Sequence, residues 1–307
     1  MYDTIKIFKE GAICKDDKLS NVFERHDEGG LLVGGKLKNL DVKCGCRGLS
    51  VQGSLAKYHL PSNAHTLTRR MTQEAFECLS DDLGVDVCSG VCSRVDVGTI
   101  IETKKPPQDY FKTFGELPRF TRLQAAKETL MYKTQNRQFV IYDKAKEMLQ
   151  KGNRQQVEKD LLAWGLGNNV MRLEARFLNL ARSFKGGLLA KELYNEKQYH
   201  SFVREFVEMF NKIGTMKTIE LKDKEIKTPK DAMNLFIAMY LQREGAETEI
   251  VEFIEKLKAN KMFDDKKYYT RTKQGLFDLM GVNGCGMGND DYKEIKEAVN
   301  EFAKYAR

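Results

Sequence analysis

The hydrophobic and polar positions fall into two regimes along the chain. In the first half, apolar and β-branched residues alternate with polar ones over residues 3–8, 31–42 and 48–60, broken at Gly29-Gly30 and Gly34-Gly35. Alternation with period two predicts strands that are half buried. Further strands are predicted over residues 93–103, 120–132, from Gln138, and over 169–178. Met71, Ala75, Cys78 and Leu79 instead recur at helical spacing, which predicts a helix over residues 68–83 closed by Gly84. Short helices are expected near Tyr110, from an Asp143 cap through Met148, and over residues 155–164. Beyond Leu180 only helical stripes remain, at residues 200–213, 230–242, 246–259, 266–280 and 291–305. Thr228-Pro229-Lys230-Asp231 is a helix start, with a hydroxyl cap, proline in the first turn and an acid near the positive end of the dipole.

This pattern predicts an α+β fold: a central antiparallel sheet with helices packed on one face, followed by a mainly helical C-terminal domain. The expected division is a sheet-based catalytic domain over residues 1–180 and a helical domain over 181–307 with a DNA-binding or interaction role.

The 307 residues are enough to bury a substantial core. A hydrophobic share of 41% and a charged share of 31% are those of a globular protein. The formal charge of +7 is mild and compatible with a polyanionic partner. No apolar run reaches the roughly 20 residues a membrane span needs. The first residues lack the shape of a signal peptide, so a cytoplasmic protein with no membrane partner is expected. The seven cysteines are then expected to be reduced thiols. Neither Cys44-x-Cys46 nor Cys88-x-x-x-Cys92 has the spacing of a good zinc knuckle.

Three strands carry candidate chemistry. Phe139 and Ile141 face a core, which sends Tyr142 and Lys144 together to the other side. A phenol has an ordinary pKa of about 10, so a neighbouring ammonium would favour the phenolate and screen a phosphate. In Arg94-Val95-Asp96-Val97 the valines share one face and the charges the other. Along residues 169–178, Met171, Leu173, Ala175 and Phe177 oppose Arg172, Glu174 and Arg176. If these strands share a sheet, Asp96, Tyr142, Lys144 and Glu174 converge on its open face. Two carboxylates can hold Mg2+ or Mn2+ with substrate phosphate, and Arg172 and Arg176 can hold flanking phosphates. The alternative is a set of solvated ion-pair ladders, each contributing a few tenths of a kcal/mol.

The order Arg-Val-Asp, Ile-Tyr-Asp-Lys, Arg-Leu-Glu-Ala-Arg-Phe resembles the gene II/X replication initiation proteins of filamentous phages and related rolling-circle plasmids. Residues 48–57 followed by Asn63 match that family's strand, lysine and asparagine, which adds Lys57 to the DNA-contacting candidates. The resemblance covers roughly residues 30–180. It implies a site-specific, metal-dependent endonuclease and strand-transferase. Tyr142 would form a 5′-phosphotyrosine, Lys144 would be the matching lysine, and Asp96 and Glu174 would ligate or support Mg2+ or Mn2+. DNA would be the partner, at a double-strand origin and a single-stranded nick site, with host helicase and polymerase acting on the product.

Many rolling-circle nickases hold their metal with a His-hydrophobic-His pair. His26, His59, His65 and His200 form none, so an acidic site is expected, with Glu147 a possible member. Tyr132 is the next nucleophile to consider after Tyr142. The basic run Lys266 to Lys273, following a helix and a turn, has a helix-turn-helix shape in which Arg271 and Lys273 would meet DNA. Arg69-Arg70 and Lys104-Lys105 sit where phosphate contacts are easily made. Gly281 to Gly288 is read as a flexible connector. Two rival readings share these features: a non-catalytic origin-binding initiator, and a mobilisation relaxase.

Overall fold

The computed structural model describes residues 1–13, 17–27, 30–60, 66–125, 128–184, 187–215, 228–241, 246–279 and 290–305. Asn63, His65 and the glycine run at 281–288 lie outside the described residues.

Strands β1 (Tyr2–Glu10), β2 (Ser20–Asp27), β3 (Gly30–Leu37), β4 (Leu40–Gly45) and β5 (Gly48–Ser54) open the chain. They are followed by helices α1 (Leu55–His59) and α2 (Arg69–Leu83), then β6 (Val91–Glu102) and α3 (Pro107–Phe111). Next come β7 (Thr121–Ala125), β8 (Thr129–Lys133), β9 (Arg137–Asp143), α4 (Lys144–Lys151), α5 (Arg154–Ala163), β10 (Val170–Phe177) and the two-residue β11 (Leu188–Leu189). Helices α6 (Glu196–Asn211), α7 (Pro229–Leu241), α8 (Ala246–Ala259), α9 (Lys266–Leu279) and α10 (Asp290–Tyr305) complete it. The strands form one sheet in the order β2-β3-β4-β5-β1-β6-β10-β9-β8-β7, with β11 also on β6. All these pairings are antiparallel. The α+β class is as the pattern implies.

Local chemistry sets the element ends. Thr68 caps α2 by accepting from the Met71 amide, and Gly84 ends it in the left-handed conformation at φ 64°. Residues 31–42 do not form one strand but a hairpin, with Leu37 paired to Leu40 around Lys38 at φ 53°. Residues 120–132 likewise split into β7 and β8. Thr228 and Asp231 form a reciprocal cap at the start of α7: each side chain accepts from the other's amide, at 3.2 and 2.9 Å.

The main core lies between the apolar face of the sheet and α2, α6 and α10. It contains Ile5, Val95, Phe139 and Leu173 from strands, Phe202, Phe206 and Phe210 from α6, and Ile295 and Val299 from α10. Packing therefore groups α6 and α10 with the sheet rather than with the other late helices. Helices α7, α8 and α9 share a separate small core around Leu241, Ile250, Ile254 and Tyr269. The helices are also not confined to one face. Ala145, Val157 and Leu161 of α4 and α5 pack with Val170 and Ile100, which alternation assigns to the side opposite the main core.

Phe206 is fully buried between Phe139 and Phe302, with ring centroids at 5.4 and 5.5 Å. Phe206→Ala is expected to lower stability by about 3–5 kcal/mol in urea denaturation. A loss below about 1 kcal/mol would show that α6 does not share the sheet's core.

Candidate active site

The face of β6, β9 and β10 opposite the main core carries one connected set of charges. Register puts Arg172 beside Tyr142, and Arg176 beside Asp96. The Arg172 side chain is 2% exposed. Its Nε donates to Glu174 Oε1 at 2.6 Å and its Nη2 to Asp3 Oδ2 at 2.7 Å. Asp3 in turn accepts from the Ser54 hydroxyl. Arg176 donates to Glu174 Oε2 through Nε at 3.1 Å and Nη2 at 2.8 Å. Arg94 grips Asp96 with both nitrogens of its fork, at 2.9 and 2.6 Å. The Tyr142 hydroxyl donates to Glu174 Oε1 at 3.1 Å.

Gly98 marks a close approach of β6 to β10. It lies opposite Glu174, and β6 runs between β1 and β10. A Cβ there would fall 2.7 Å from the Leu173 carbonyl and 3.0 Å from Glu174 Cγ. The glycine lets the Glu174 side chain lie close against β6, and Arg172 reaches Asp3 from β10.

The electrostatics follow from burial and pairing. Burial works to raise the Glu174 carboxyl, but Arg172 and Arg176 overcome it and hold the group below its usual range. Burial, then the Glu174 charge, push the Tyr142 phenol well above its ordinary value, so it stands protonated. Asp96 is raised by burial despite Arg94. Lys144 is lowered by burial and then by the Arg172 charge.

Three expectations change here. The charged face is not solvated near Tyr142: Asp96, Arg172, Glu174 and Lys144 are all buried, because α4 and α5 close one flank and the groups pair among themselves. Lys144 is not a strand residue sharing a face with Tyr142. Asp143 caps α4 by accepting from the Lys146 amide at 2.9 Å, which makes Lys144 the first residue of that helix. Its ammonium donates to Glu147 Oε2 at 2.7 Å. Tyr132 faces the main core, fully buried, with its hydroxyl on the Gly115 carbonyl at 2.7 Å.

Of the remaining candidates, Lys57 is exposed on α1 and its charge reaches Lys144. Arg271 and Lys273 are exposed on α9, outside this set. His59 sits 3.9 Å from Glu74. Asp3, Ser54, Arg94 and Gly98 belong to the network although the alternation pattern does not single out Asp3, Ser54 or Gly98. The donor set as it stands does not fit Mg2+ or Mn2+. All four oxygens of Asp96 and Glu174 are engaged by guanidinium or phenol groups. Among the described residues no three His, Cys, Asp or Glu side chains gather as a metal site, and no helix is long and apolar enough to cross a membrane.

Comparison with known proteins adds a family. Residues 33–198, more than half of the chain, match the family described as the N-terminal region of the gene II replication-associated protein. That span includes β6, β9 and β10. No curated protein matches the chain at a significant level. Among solved structures, a rolling circle replication initiator protein from Geobacillus stearothermophilus is similar at 11% identity. The likeness covers 73% of this chain and 89% of that one with a TM-score of 0.37, too distant to carry weight.

Removing Arg172 takes a guanidinium partner from two buried carboxylates, Asp3 and Glu174. Arg172→Leu is expected to cost about 3–5 kcal/mol at pH 7. The sign with pH is fixed by Glu174, whose folded pKa lies below its unfolded value. Its contribution is full above the unfolded value, about 4.3, and fades as pH falls below that. The deficit of the variant should therefore shrink toward pH 4, where Glu174, without Arg172, takes up a proton more readily. Urea denaturation at the two pH values measures it, and an equal deficit at both would contradict the network.

Proposed function

The chain belongs to the family of replication-associated proteins defined by the gene II N-terminal region, and on that premise we propose that it initiates rolling-circle replication by nicking its origin through Tyr142. The observation that carries this reading is the Tyr142 phenol at the end of β9, hydrogen-bonded to Glu174 among Arg172, Arg176 and Lys144.

In this chemistry the phenol oxygen attacks the scissile phosphorus, its proton passing to Glu174. The bond from phosphorus to the 3′ oxygen breaks, and that oxygen takes a proton to leave as a free 3′-OH. The product is a 5′-phosphotyrosine, and attack by a 3′-OH reverses the step. Lys144, whose ammonium gives up a proton more easily than usual, is our candidate donor to the 3′ oxygen.

In the ground state the phenol is held protonated and Glu174 is a weak base, because two guanidiniums keep its charge. A phosphodiester arriving at Arg176 would compete with Glu174 for the same donors. Glu174 would then move toward the higher pKa that its burial favours, and become a stronger base for Tyr142. The arginines thus link substrate arrival to activation. Mg2+ or Mn2+ stays in the reading as an added ion whose requirement the same assay measures. The 3′-OH is a primer terminus, which calls for a polymerase and a strand-separating helicase as later partners.

One observation favours a second reading, a non-catalytic origin-binding initiator. Each oxygen of Glu174 and the Tyr142 hydroxyl are already satisfied, as in a purely structural network.

The deciding experiment incubates the protein with single-stranded origin DNA and Mg2+ or Mn2+, with and without EDTA, on a denaturing gel. A covalent adduct is expected, reduced at least about a thousandfold in Tyr142→Phe and untouched in Tyr268→Phe. An undiminished adduct in Tyr142→Phe would move the nucleophile elsewhere. No adduct with either ion, with DNA binding intact, would establish the non-catalytic reading.

A further inference from the structure

The sheet continues beyond the charge network, and its outer half carries a pattern that the tyrosine chemistry does not use. Pairing sets Phe23, Gly34, Lys43, Ser50 and Phe8 in one row across β2, β3, β4, β5 and β1. Their neighbours Val42, Val51 and Ile7 are buried in the main core, so alternation turns the row to the opposite face. Phe8 is 39% exposed, Phe23 is 44% exposed, and Lys43 is exposed. The Phe23 ring covers Gly34, where a Cβ would lie 2.4 Å from its Cζ, so the glycine lets the ring rest against the sheet.

One row further along, Lys6 is exposed and pairs with Arg94, the residue that grips Asp96. Asp96 lies opposite Arg176. The outer row thus leads into the candidate active site without leaving the face. Among the described residues no ion pair engages Lys6 or Lys43, whereas Lys36 is held by Asp41 at 2.7 Å.

Aromatic faces alternating with unpaired ammonium groups suit a single strand of nucleic acid. Bases stack on rings while phosphates meet cations, and a duplex, whose bases already stack on each other, cannot use the rings. We propose that single-stranded DNA flanking the nick lies across β2 to β1 on this face, with bases on Phe8 and Phe23 and phosphates on Lys43 and Lys6. Five strand spacings separate β2 from β6, about 24 Å at ~4.8 Å each, a length that accommodates several nucleotides. This proposal rests on the preceding reading for DNA as the partner and for the nick that the strand flanks.

The test is fluorescence anisotropy of a labelled oligothymidylate, and of a labelled duplex, with the full chain and no added metal. Phe8→Ala is expected to weaken single-strand binding about tenfold while leaving duplex affinity unchanged. Lys6→Gln with Lys43→Gln should reduce the slope of log affinity against log salt by about 0.7 for each lysine. Lys191→Gln, an exposed lysine outside this face, serves as the control and should change neither. Thermal melts verify folding, and Phe8→Leu, which keeps apolar bulk without a ring, replaces Phe8→Ala if that variant does not fold. Unchanged single-strand affinity in the phenylalanine and lysine variants, or an equal loss on duplex, overturns the proposal. Because anisotropy reads binding without cleavage, a missing covalent adduct would refute the tyrosine chemistry and leave this result standing.

Discussion

A buried guanidinium organises the functional face of this protein. Arg172 ties Asp3 of the first strand to Glu174 of its own, reaching across β6. Burying a lone charge is costly, and a buried pair is tolerable only when its hydrogen-bonding capacity is satisfied. Every other member of the set follows from that requirement. Ser54 completes Asp3, Arg176 and Tyr142 complete Glu174, and Arg94 completes Asp96. The arrangement gives a unique register to five strands and leaves the tyrosine aimed at a carboxylate.

The same constraint gives the site its chemical character. A phenol donating to a carboxylate that arginines hold ionised is a resting state, since neither group is poised to move the proton. In the proposed chemistry an incoming phosphate competes for those arginines and couples activation to substrate. The outer half of the face, with exposed rings and with Lys6 and Lys43 in no ion pair among the described residues, has the opposite character from the sealed network beside it. One part of the sheet holds a fixed charge pattern, and the adjoining part is where we propose that a flexible polyanion lies.

Much of this was legible in the chain. Alternation along residues 169–178 separates Leu173 and Phe177 from Arg172 and Glu174, and the same rule sorts β6 and β9. Caps at Thr68 and Asp143 and the left-handed Gly84 mark helix ends. Other features lie beyond what a pattern can carry. Strand β2 is polar along most of its length because it is a sheet edge with little to bury, so no alternation announces it. Lys38-Asn39 is not a strong hairpin signal, and β3 and β4 read as one strand. Alternation assigns a face to a charge but does not say whether water or a partner meets it. The burial of Glu174 and Arg172 depends on Asp3, which is 169 residues from Arg172 in sequence. Lys144 shows two local rules in conflict: strand alternation extends to it, but the Asp143 cap starts a helix there and prevails.

Tyr142 as the atom that bonds to DNA is the central claim, and peptide mapping addresses it without mutation. The protein would be reacted with single-stranded origin DNA, digested with nuclease and protease, and the nucleotide-bearing peptide sequenced by tandem mass spectrometry. The expected peptide carries its phosphonucleotide on Tyr142. A nucleotide on any other tyrosine, or on a serine, would contradict the assignment.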